Sequence, residues 1–317
     1  MRKGAIAEAL LASSLVLAAT GCGGGKPVFP VPGGAGQLSG VAVKGRISGG
    51  TVTAYPLSKE GEPGAALGSA TTDESGAFTV EVPSYNGAVL LVVSSGTYAE
   101  EAVAGARVRL DGQELTAIVP EYRATTIVSD IVVTPASHWT AGLAAFISRA
   151  ERTSIKAAYL EAAQHIHQHL GDVRWDAVVP ADVTSDSGHQ LDEAGVAGLI
   201  LGALSMQARS IAENAGLTAG GSLNSMALVD SLYDDVTFDG YFDGMGDDGI
   251  LYLPKGGGAK AFKLDGQTLR LSLALALQRF QGSDRNGWAI ASADTAQLRE
   301  NLSRNSNPRI FRDSGSD

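Results

Sequence analysis

The chain of 317 residues carries 24 Lys and Arg against 34 Asp and Glu, a formal net charge of −10 at pH 7. This acidic balance excludes nucleic acid and anionic lipid surfaces from the expected partners. The hydrophobic share of 44% is enough for ordinary globular cores, and the length indicates about two domains.

The first 21 residues have the pattern of a signal peptide for secretion. Arg2 and Lys3 provide a positive start, and residues 5–19 form an almost uncharged apolar run. An uncleaved membrane anchor and an ordinary signal peptide are the alternatives. A spanning helix needs about 20 apolar residues, and this run is shorter, which disfavours the anchor.

The end of this segment, Ala18 to Cys22, resembles a bacterial lipobox, in which the cysteine is lipidated and becomes the mature N-terminus. Residue 19 is Ala where the pattern prefers Leu. The chain has one cysteine, so no internal disulfide can form, and lipidation of Cys22 removes a thiol that is a liability in an oxidising compartment. The resemblance implies a lipoprotein held in the cell envelope by its acyl chains. Gly23 indicates the outer membrane by analogy.

Residues 22–37 form the second segment of the chain. They are rich in Gly and Pro and cannot bury a core. They therefore predict a flexible tether that holds the folded part clear of the membrane, with a contour limit of roughly 50 Å.

Between residues 38 and 133 the pattern predicts strands and turns only. Residues 77–82 alternate between apolar and polar side chains, and residues 88–93 form a continuous apolar run suited to a central strand. In the turn between two strands, Asp73 can accept amide hydrogens and Gly76 can adopt a positive φ. Regular strand spacing without helices predicts a small β-sandwich.

Three stretches of this region resemble the carboxypeptidase regulatory-like sandwich, an Ig-like or transthyretin-like module of secreted bacterial proteins. They are residues 40–45, 47–55 and 72–80. The resemblance implies a spacer, adhesion or presentation module that carries no catalytic residues. None of the five histidines belongs to the His-x-x-Glu metal pair of a zinc carboxypeptidase.

From residue 134 to residue 312 the Ala-rich and Leu-rich pattern predicts an all-α domain, followed by a disordered tail at residues 313–317. The order of a sandwich followed by helices is similar to that of envelope lipoproteins of predatory or social soil bacteria. The chain is thus predicted to be a multidomain α and β protein.

Sequence signals predict where the helices begin and end. We expect Ser137 to cap the first helix, and a second helix to run from about Thr153 to Leu170. Ser187 to Gln190 matches a capping box that would open a helix over residues 191–215. Two further predictions are a helix capped by Ser222 that ends near Asp235, and a helix around residues 269–277, where leucines alternate but propensity favours a helix.

His165 and His169 are separated by four residues on a predicted helix face, a spacing that two zinc ligands can use. A third ligand and a catalytic Glu are missing. We therefore favour the alternative of exposed histidines near a helix C-terminus, where the dipole stabilises them. Ser205 lacks the second glycine of a nucleophile elbow and lies within a predicted helix, which excludes a hydrolase signature.

Six carboxylates lie within the 16 residues from Asp234 to Gly249. Asp239, Asp243 and Asp247 are the candidate ligands of a calcium ion, because Asp-Gly turns let oxygen atoms converge. No Glu closes the loop twelve residues after Asp239 or Asp243. A solvated acidic turn is the alternative, and we favour it.

These patterns predict an envelope lipoprotein that acts in binding, adhesion or scaffolding and not in catalysis. Its expected partners are the membrane, through the N-terminal lipid, and an envelope protein or glycan. The alternative is an envelope enzyme or a small-ligand-binding protein with its site in the helical domain. A concave apolar pocket with converging polar groups and shifted pKa values would favour that alternative.

Overall fold

The computed structural model describes residues 28–30, 35–185, 191–247, 249–253, 262–264, 266–288 and 294–304. The signal peptide, Cys22, most of the tether and the tail at residues 313–317 lie outside these residues, so the statements about them stay predictions. The described residues form both strands and helices, which confirms a mixed α and β content.

Ten strands precede the first helix, and they form two four-stranded sheets and one small hairpin. The sheets have the orders β1-β10-β2-β5 and β4-β3-β6-β9, and β7 pairs with β8. The strands are β1 (Val28–Pro30), β2 (Gly36–Ala42), β3 (Thr51–Pro56), β4 (Gly68–Thr71), β5 (Ala77–Val82), β6 (Gly87–Ser94), β7 (Thr97–Ala99), β8 (Arg107–Arg109), β9 (Glu114–Tyr122) and β10 (Thr126–Val133).

The two sheets contact each other through β5, which lies against β3 and β4, and through β10, which lies against β9. Every second residue of β5 is buried, as the alternating sequence of residues 77–82 predicts. Val52 and Ala54 of β3 and Leu91 of β6 are fully buried in the same apolar cluster. The apolar run at residues 88–93 lies in β6, whose neighbours on both sides are strands.

The turn predicted at Asp73 is confirmed. Its Oδ1 accepts hydrogen bonds from the backbone N–H of Ser75 at 2.8 Å and of Ala77 at 2.9 Å. Gly76 has a φ of +79°, and a Cβ there would lie 2.5 Å from the carbonyl oxygen of Ala42. The turn therefore requires glycine for both its conformation and its close approach to β2.

Part of the predicted tether is a strand, which corrects the prediction for residues 22–37. β1 pairs antiparallel with β10, with Val28 opposite Val128 and Pro30 opposite Thr126, and β2 begins at Gly36. The sequence alternates Pro with apolar residues here, and a residue before Pro favours an extended backbone. Such a segment can add to an open sheet edge, where a proline costs no ladder hydrogen bond.

Six helices follow, with four strands of two residues between the fourth and the fifth. The helices are α1 (Pro135–Glu151), α2 (Ile155–His169), α3 (Glu193–Asn214), α4 (Ser225–Asp239), α5 (Gly266–Gln281) and α6 (Ala296–Arg304). The strands are β11 (Met245–Gly246), β12 (Gly249–Ile250), β13 (Tyr252–Leu253) and β14 (Phe262–Lys263). The prediction of a purely helical second half is wrong at these strands, and α5 confirms the helix predicted at residues 269–277.

The helix starts differ from the predictions because other side chains reach the free amides. Thr134 caps α1, and its hydroxyl accepts from Ser137 N–H while the Ser137 hydroxyl accepts from Thr134 N–H. Asp192 caps α3 through Gly195 N–H at 2.9 Å, and the helix begins at Glu193 and not at the predicted residue 191. The capping box predicted at residues 187–190 lies outside the described residues. The predicted start was wrong because a nearer acceptor competes for the same amides.

The second and fourth helices show the same effect. Ser154 caps α2, one residue after the predicted start at Thr153. Asn224 caps α4 by accepting from Ala227 N–H at 2.9 Å, and it replaces Ser222, which the sequence suggested. α4 continues to Asp239, one turn beyond the predicted end at Asp235.

One cluster of buried apolar side chains includes residues of the sheets and of the helices. α1 packs on β9 and α4, and α3 packs on α5. α3 is long and apolar enough to cross a membrane, but 78% of its most apolar window is buried inside the protein. A Cβ on Gly202 would lie 2.4 Å from the ring of Phe280, so the small residue permits the close helix contact that its sequence pattern predicts.

Candidate binding sites between strands and helices

A groove of about 700 Å³ lies where β9 and β10 face α2, and we call it the β9 groove. Its volume falls within the range of roughly 300–1,000 Å³ that is common for ligand sites. Most of the side chains in its walls are apolar. The lining residues include Ala117, Ile118, Val119, Pro120, Glu121, Thr126, Val128, Ile131, Val132, Ser137, Lys156, Tyr159 and Leu160.

β9 is the edge strand of its sheet, because β6 is its one ladder partner among the described strands. The Ser137 hydroxyl donates to the carbonyl oxygen of Thr116 at 2.8 Å, so this carbonyl points away from β6. Backbone groups alternate along an antiparallel strand, and those of Ile118 therefore point to the same open side. The register of β9 on β6 shifts between Val119 and Tyr122, so the alternation ends before Pro120. Ile118 and Pro120 both line the β9 groove.

The rim of the β9 groove combines a balanced set of charges with an exposed apolar side chain. Glu121 accepts hydrogen bonds from Lys156 and Arg123, and these contacts lower the pKa of its carboxyl to about 2. Leu160, on α2, is 59% exposed. Glu121, Lys156 and Arg123 together carry a charge of +1, and Asp176, which also lines the groove, balances it. The rim thus presents apolar surface beside a set of charges that sums to zero.

A second cavity, of about 240 Å³, adjoins the β9 groove and shares Ser137, Tyr159 and Asp176 with it. We call it the histidine cavity, because the Nδ1 atom of His167, in its lining, is buried and has no hydrogen-bond partner among the described residues. Burial raises the pKa of the Tyr159 hydroxyl, and the negative charge of Asp176 raises it further. The hydroxyl of Tyr159 therefore stays protonated at neutral pH.

A third cavity, of about 200 Å³, lies between the strands and α3, and we call it the junction cavity. Charged side chains provide much of its lining. They are Arg46, Glu74, Glu100, Glu101, Arg107, Asp182 and Arg285.

Beneath the junction cavity lies a buried ion pair. Lys44 is fully buried and donates to the carboxylate of Glu101, which is also buried. Burial raises the pKa of Glu101, while the positive charge of Lys44 opposes that rise. The pair therefore lies in the protein interior, where either charge without its partner would cost several kcal/mol of free energy, on the order of 3–5 kcal/mol.

Glu100 joins the strands to two helices through hydroxyl groups. It accepts from Ser205 on α3 at 2.6 Å and from Tyr98 at 3.0 Å. The Ser205 hydroxyl also accepts from Ala102 N–H at 2.8 Å, and the Tyr98 hydroxyl lies 3.3 Å from that of Ser225 on α4. Ser205 is thus a member of a buried network.

The two histidines of the predicted zinc site lie on α2, as expected. The Nε2 atom of His165 lies 3.8 Å from a carboxylate oxygen of Glu161, and His169 lines a small apolar cavity. Within the described residues, no group of three His, Cys, Asp or Glu side chains could hold a metal ion. The structure brings no third zinc ligand to this pair in that part of the chain.

The acidic loop is organised around Asp235, which is fully buried. Its carboxylate accepts from Gly244 N–H at 3.0 Å and from Met245 N–H at 3.0 Å. Burial, together with the charges of Asp243 and Asp239, raises the pKa of Asp235 to about 8. The carboxyl is therefore largely protonated at neutral pH.

The three predicted calcium ligands lie in this loop. Asp239 accepts from Tyr241 N–H at 2.9 Å, Asp243 accepts from Met245 N–H at 3.0 Å, and Asp247 is exposed. Among the described residues, which do not include Asp248, no group of three side chains that could hold a metal ion lies here. Calcium binding stays a prediction, and this arrangement favours the alternative of an acidic turn.

Sequence reasoning missed Lys44, because no periodic signal marks it. β2 ends at Ala42, and Lys44 lies in the turn that follows, where the alternation of a strand no longer applies. Its full burial requires a partner for the charge. That partner, Glu101, could not be read from local sequence, because it lies 57 residues away.

No family model, no curated protein and no solved structure matches the chain.

Proposed function

We propose that this protein is a lipid-anchored protein of the bacterial cell envelope that binds a partner protein in the β9 groove and is not an enzyme. In this proposal residues 38–133 are a carboxypeptidase regulatory-like sandwich, the helices follow it as a second unit, and Cys22 carries the lipid in the outer membrane. The observation that supports the binding role is the apolar groove beside an edge strand.

The chemistry of the groove favours an extended apolar peptide over a glycan. Peptides can add to an open sheet edge, with main-chain hydrogen bonds for affinity and side-chain pockets for specificity. Ile118 offers an N–H and a C=O on the open side, and Pro120, at the register shift of β9, has no N–H to offer. The groove runs along five residues of β9, roughly 17 Å, which suits a short extended segment.

Pro120 also explains why this edge need not cause aggregation. A proline on an edge strand removes one donor and so weakens pairing with a second copy of the same strand. Ser137 occupies the carbonyl of Thr116, which shortens the free edge further. A partner must therefore pair with a short stretch of β9 and gain the rest of its affinity from the apolar walls.

The test compares two exposed leucines on different helices. Leu160 borders the β9 groove and is 59% exposed, while Leu275 on α5 is 56% exposed and does not line it. A photo-crosslinking residue at position 160, introduced into the lipidated protein in its own cells, is expected to trap a discrete envelope protein, and one at position 275 is not. Leu160→Glu should weaken that complex when it is recovered intact, and Leu275→Glu should leave it unchanged.

Equal crosslinking at both positions, or a complex that survives Leu160→Glu together with Ile118→Asp, would contradict the groove as the binding surface. Circular dichroism of each variant establishes that the fold is retained. An apolar dye that fluoresces in dry surroundings gives a second measurement on purified protein, since Leu160→Glu is expected to reduce its binding and Leu275→Glu is not.

A further inference from the structure

The junction cavity gathers three arginines from separate parts of the chain. Arg46 lies in the turn after β2, Arg107 lies on β8, and Arg285 follows α5. None of the three belongs to an ion pair among the described residues. Ion pairing within the described residues therefore does not explain why three guanidinium groups meet at one cavity.

The buried carboxylates below them are already compensated. Glu101 is paired with Lys44, and Glu100 accepts from the hydroxyls of Tyr98 and Ser205. Each carboxylate thus already has a partner within the protein, and neither forms an ion pair with one of the three arginines among the described residues. Arg107 makes one long hydrogen bond, from Nη2 to the Thr97 hydroxyl at 3.5 Å. The guanidinium groups otherwise remain available to a ligand.

Arg285 is held in position before any ligand arrives. Its Nε donates to the carbonyl oxygen of Glu101 at 3.2 Å, and the residue is half-buried. No hydrogen bond engages its two Nη atoms among the described residues. A guanidinium group that is fixed in this way loses little conformational entropy on binding, and its paired N–H groups match a carboxylate or a phosphate.

Size and the remaining charges restrict the ligand. The cavity of about 200 Å³ is smaller than sites for drug-sized molecules, so it suits a compact group. Glu74 and Asp182 are exposed at its rim and would repel a long polyanion. Asp182 itself accepts from Thr184 N–H at 3.0 Å.

From this geometry we propose that the junction cavity binds the carboxylate or phosphate group of a small molecule through Arg285, Arg107 and Arg46. This site is separate from the β9 groove, and the two sets of lining residues do not overlap. The proposal therefore stands or falls independently of the partner protein.

The experiment uses the full mature chain, with acetate and inorganic phosphate as probes, in calorimetric titration and in thermal unfolding. Sodium chloride at equal ionic strength is the reference for unspecific salt effects. We expect a saturable rise of the melting temperature with at least one probe in the millimolar range, because a ligand that binds the folded state stabilises it. Acetate alone would identify a carboxylate ligand, and phosphate alone a phosphate ligand.

Two variants of one strand provide the matched comparison. Arg107→Gln is expected to weaken binding about tenfold, the effect of one charge-assisted hydrogen bond. Arg109→Gln, two residues along β8, removes an arginine that pairs with Asp111 at 3.1 Å and does not line the cavity, so it should leave binding unchanged. Arg46→Gln is a second variant at an exposed position and should weaken binding as Arg107→Gln does.

Failure of both probes to exceed the salt reference would overturn the proposal, as would equal losses from Arg107→Gln and Arg109→Gln. Neither outcome depends on whether the β9 groove has a partner.

Discussion

At the scale of single residues, the fully buried ammonium of Lys44 is the most demanding group in the described chain. It pairs with the carboxylate of Glu101, and its charge lies 5.6 Å from the ring centre of Tyr98. Burial of both charges costs free energy that the pair only partly recovers. The pair therefore adds little to the free energy of unfolding. Its main effect is to specify how the turn after β2 packs against the segment after β7.

Removal of one charge of the pair should destabilise the protein more than removal of both charges. Lys44→Met is expected to lower the free energy of unfolding by about 3 kcal/mol or more, because it leaves a buried carboxylate unpaired. Lys44→Met combined with Glu101→Gln should cost less than the single change. Lys156→Met, at the exposed pair with Glu121, should lower the free energy of unfolding far less than Lys44→Met, because water screens this pair. Urea unfolding measures the free energy of unfolding of all three variants. A double variant that is less stable than Lys44→Met would show that the unpaired carboxylate is not the cause of the loss.

Asp235 makes a prediction about pH. Its pKa rises from the ordinary value of 3.8 to about 8 in the folded protein, chiefly through burial. Between these values the folded chain keeps a proton that the unfolded chain has lost. The free energy of unfolding should therefore fall as pH rises through this interval, by up to about 1.4 kcal/mol per pH unit from this group.

Asp235→Asn keeps an oxygen acceptor for the amides of Gly244 and Met245 but carries no charge. It is expected to remove that slope and to raise stability at neutral pH relative to the unmodified protein. Asp247→Asn, at an exposed position of the same loop, serves as the control and should leave the slope in place. Urea unfolding across the interval measures both, and an unchanged slope in Asp235→Asn would show that this carboxyl does not titrate there.

Cys22 carries the prediction about location. Cys22→Ser is expected to release the protein from membranes or to leave the signal peptide attached, because the lipid-bearing thiol is gone. Gly23→Ala keeps the cysteine and should leave anchoring unchanged. Membrane fractionation shows whether each variant is released, and intact-mass analysis shows whether the signal peptide is still attached. A processed Cys22→Ser product that stays in the membrane fraction would refute lipid anchoring at this residue.

At the scale of elements, β1 changes the expected distance between the anchor and the fold. From Cys22 to Val28 the chain can extend roughly 20 Å, well below the limit for a free tether that ends at residue 37. β10, which β1 extends, also provides Val128 and Thr126 to the β9 groove. Pairing of β1 would thus keep the groove near the surface to which the proposed lipid attaches.

An engineered disulfide tests the register of β1. In a Cys22→Ser background, Val28→Cys with Val128→Cys is expected to form a disulfide in purified protein, because directly opposite residues have Cβ atoms about 5 Å apart. Val28→Cys with Thr79→Cys is the control, since β5 lies three strand spacings from β1, roughly 14 Å. Equal disulfide formation in both pairs would show that β1 does not pair with β10 in this register.

At the scale of the whole molecule, the strands and helices share one core. α1 covers β9, and Glu100 and Ala102 are both bonded to Ser205 of α3. The apolar residues of β9 that α1 and α2 cover would be exposed if the strands stood alone. We expect the two halves to depend on each other for stability.

Separate expression of residues 38–133 measures this dependence. The fragment is expected to keep a strand-dominated circular dichroism spectrum but to unfold at lower urea than the full chain and to bind an apolar dye, because its β9 surface is exposed. Addition of residues 134–312 should restore stability. A fragment as stable as the full chain would support two independent domains, the division that the sequence pattern alone suggests.

Much of the fold could be predicted because its signals are local. Alternation in residues 77–82, the Asp73 turn and the helix at residues 269–277 each depend on neighbours within a few positions. Helix starts were less accurate, since several Ser, Thr, Asp and Asn side chains compete for the same amides and only the folded backbone selects one. Asp192 and Asn224 were selected in this way.

The candidate sites depend on contacts between distant parts of the chain. Glu100 and Ser205 are 105 positions apart, and the three arginines of the junction cavity come from a turn, a strand and a loop after a helix. By itself, the sequence predicted a signal for export, which stays a prediction, and it determined the order of strands before helices and most element types, because these follow from composition and short-range periodicity. Only the tertiary structure decided which carboxylate meets Lys44, which edge remains open beside α2 and where the arginines converge, because packing brings together residues whose spacing along the chain carries no periodic signal.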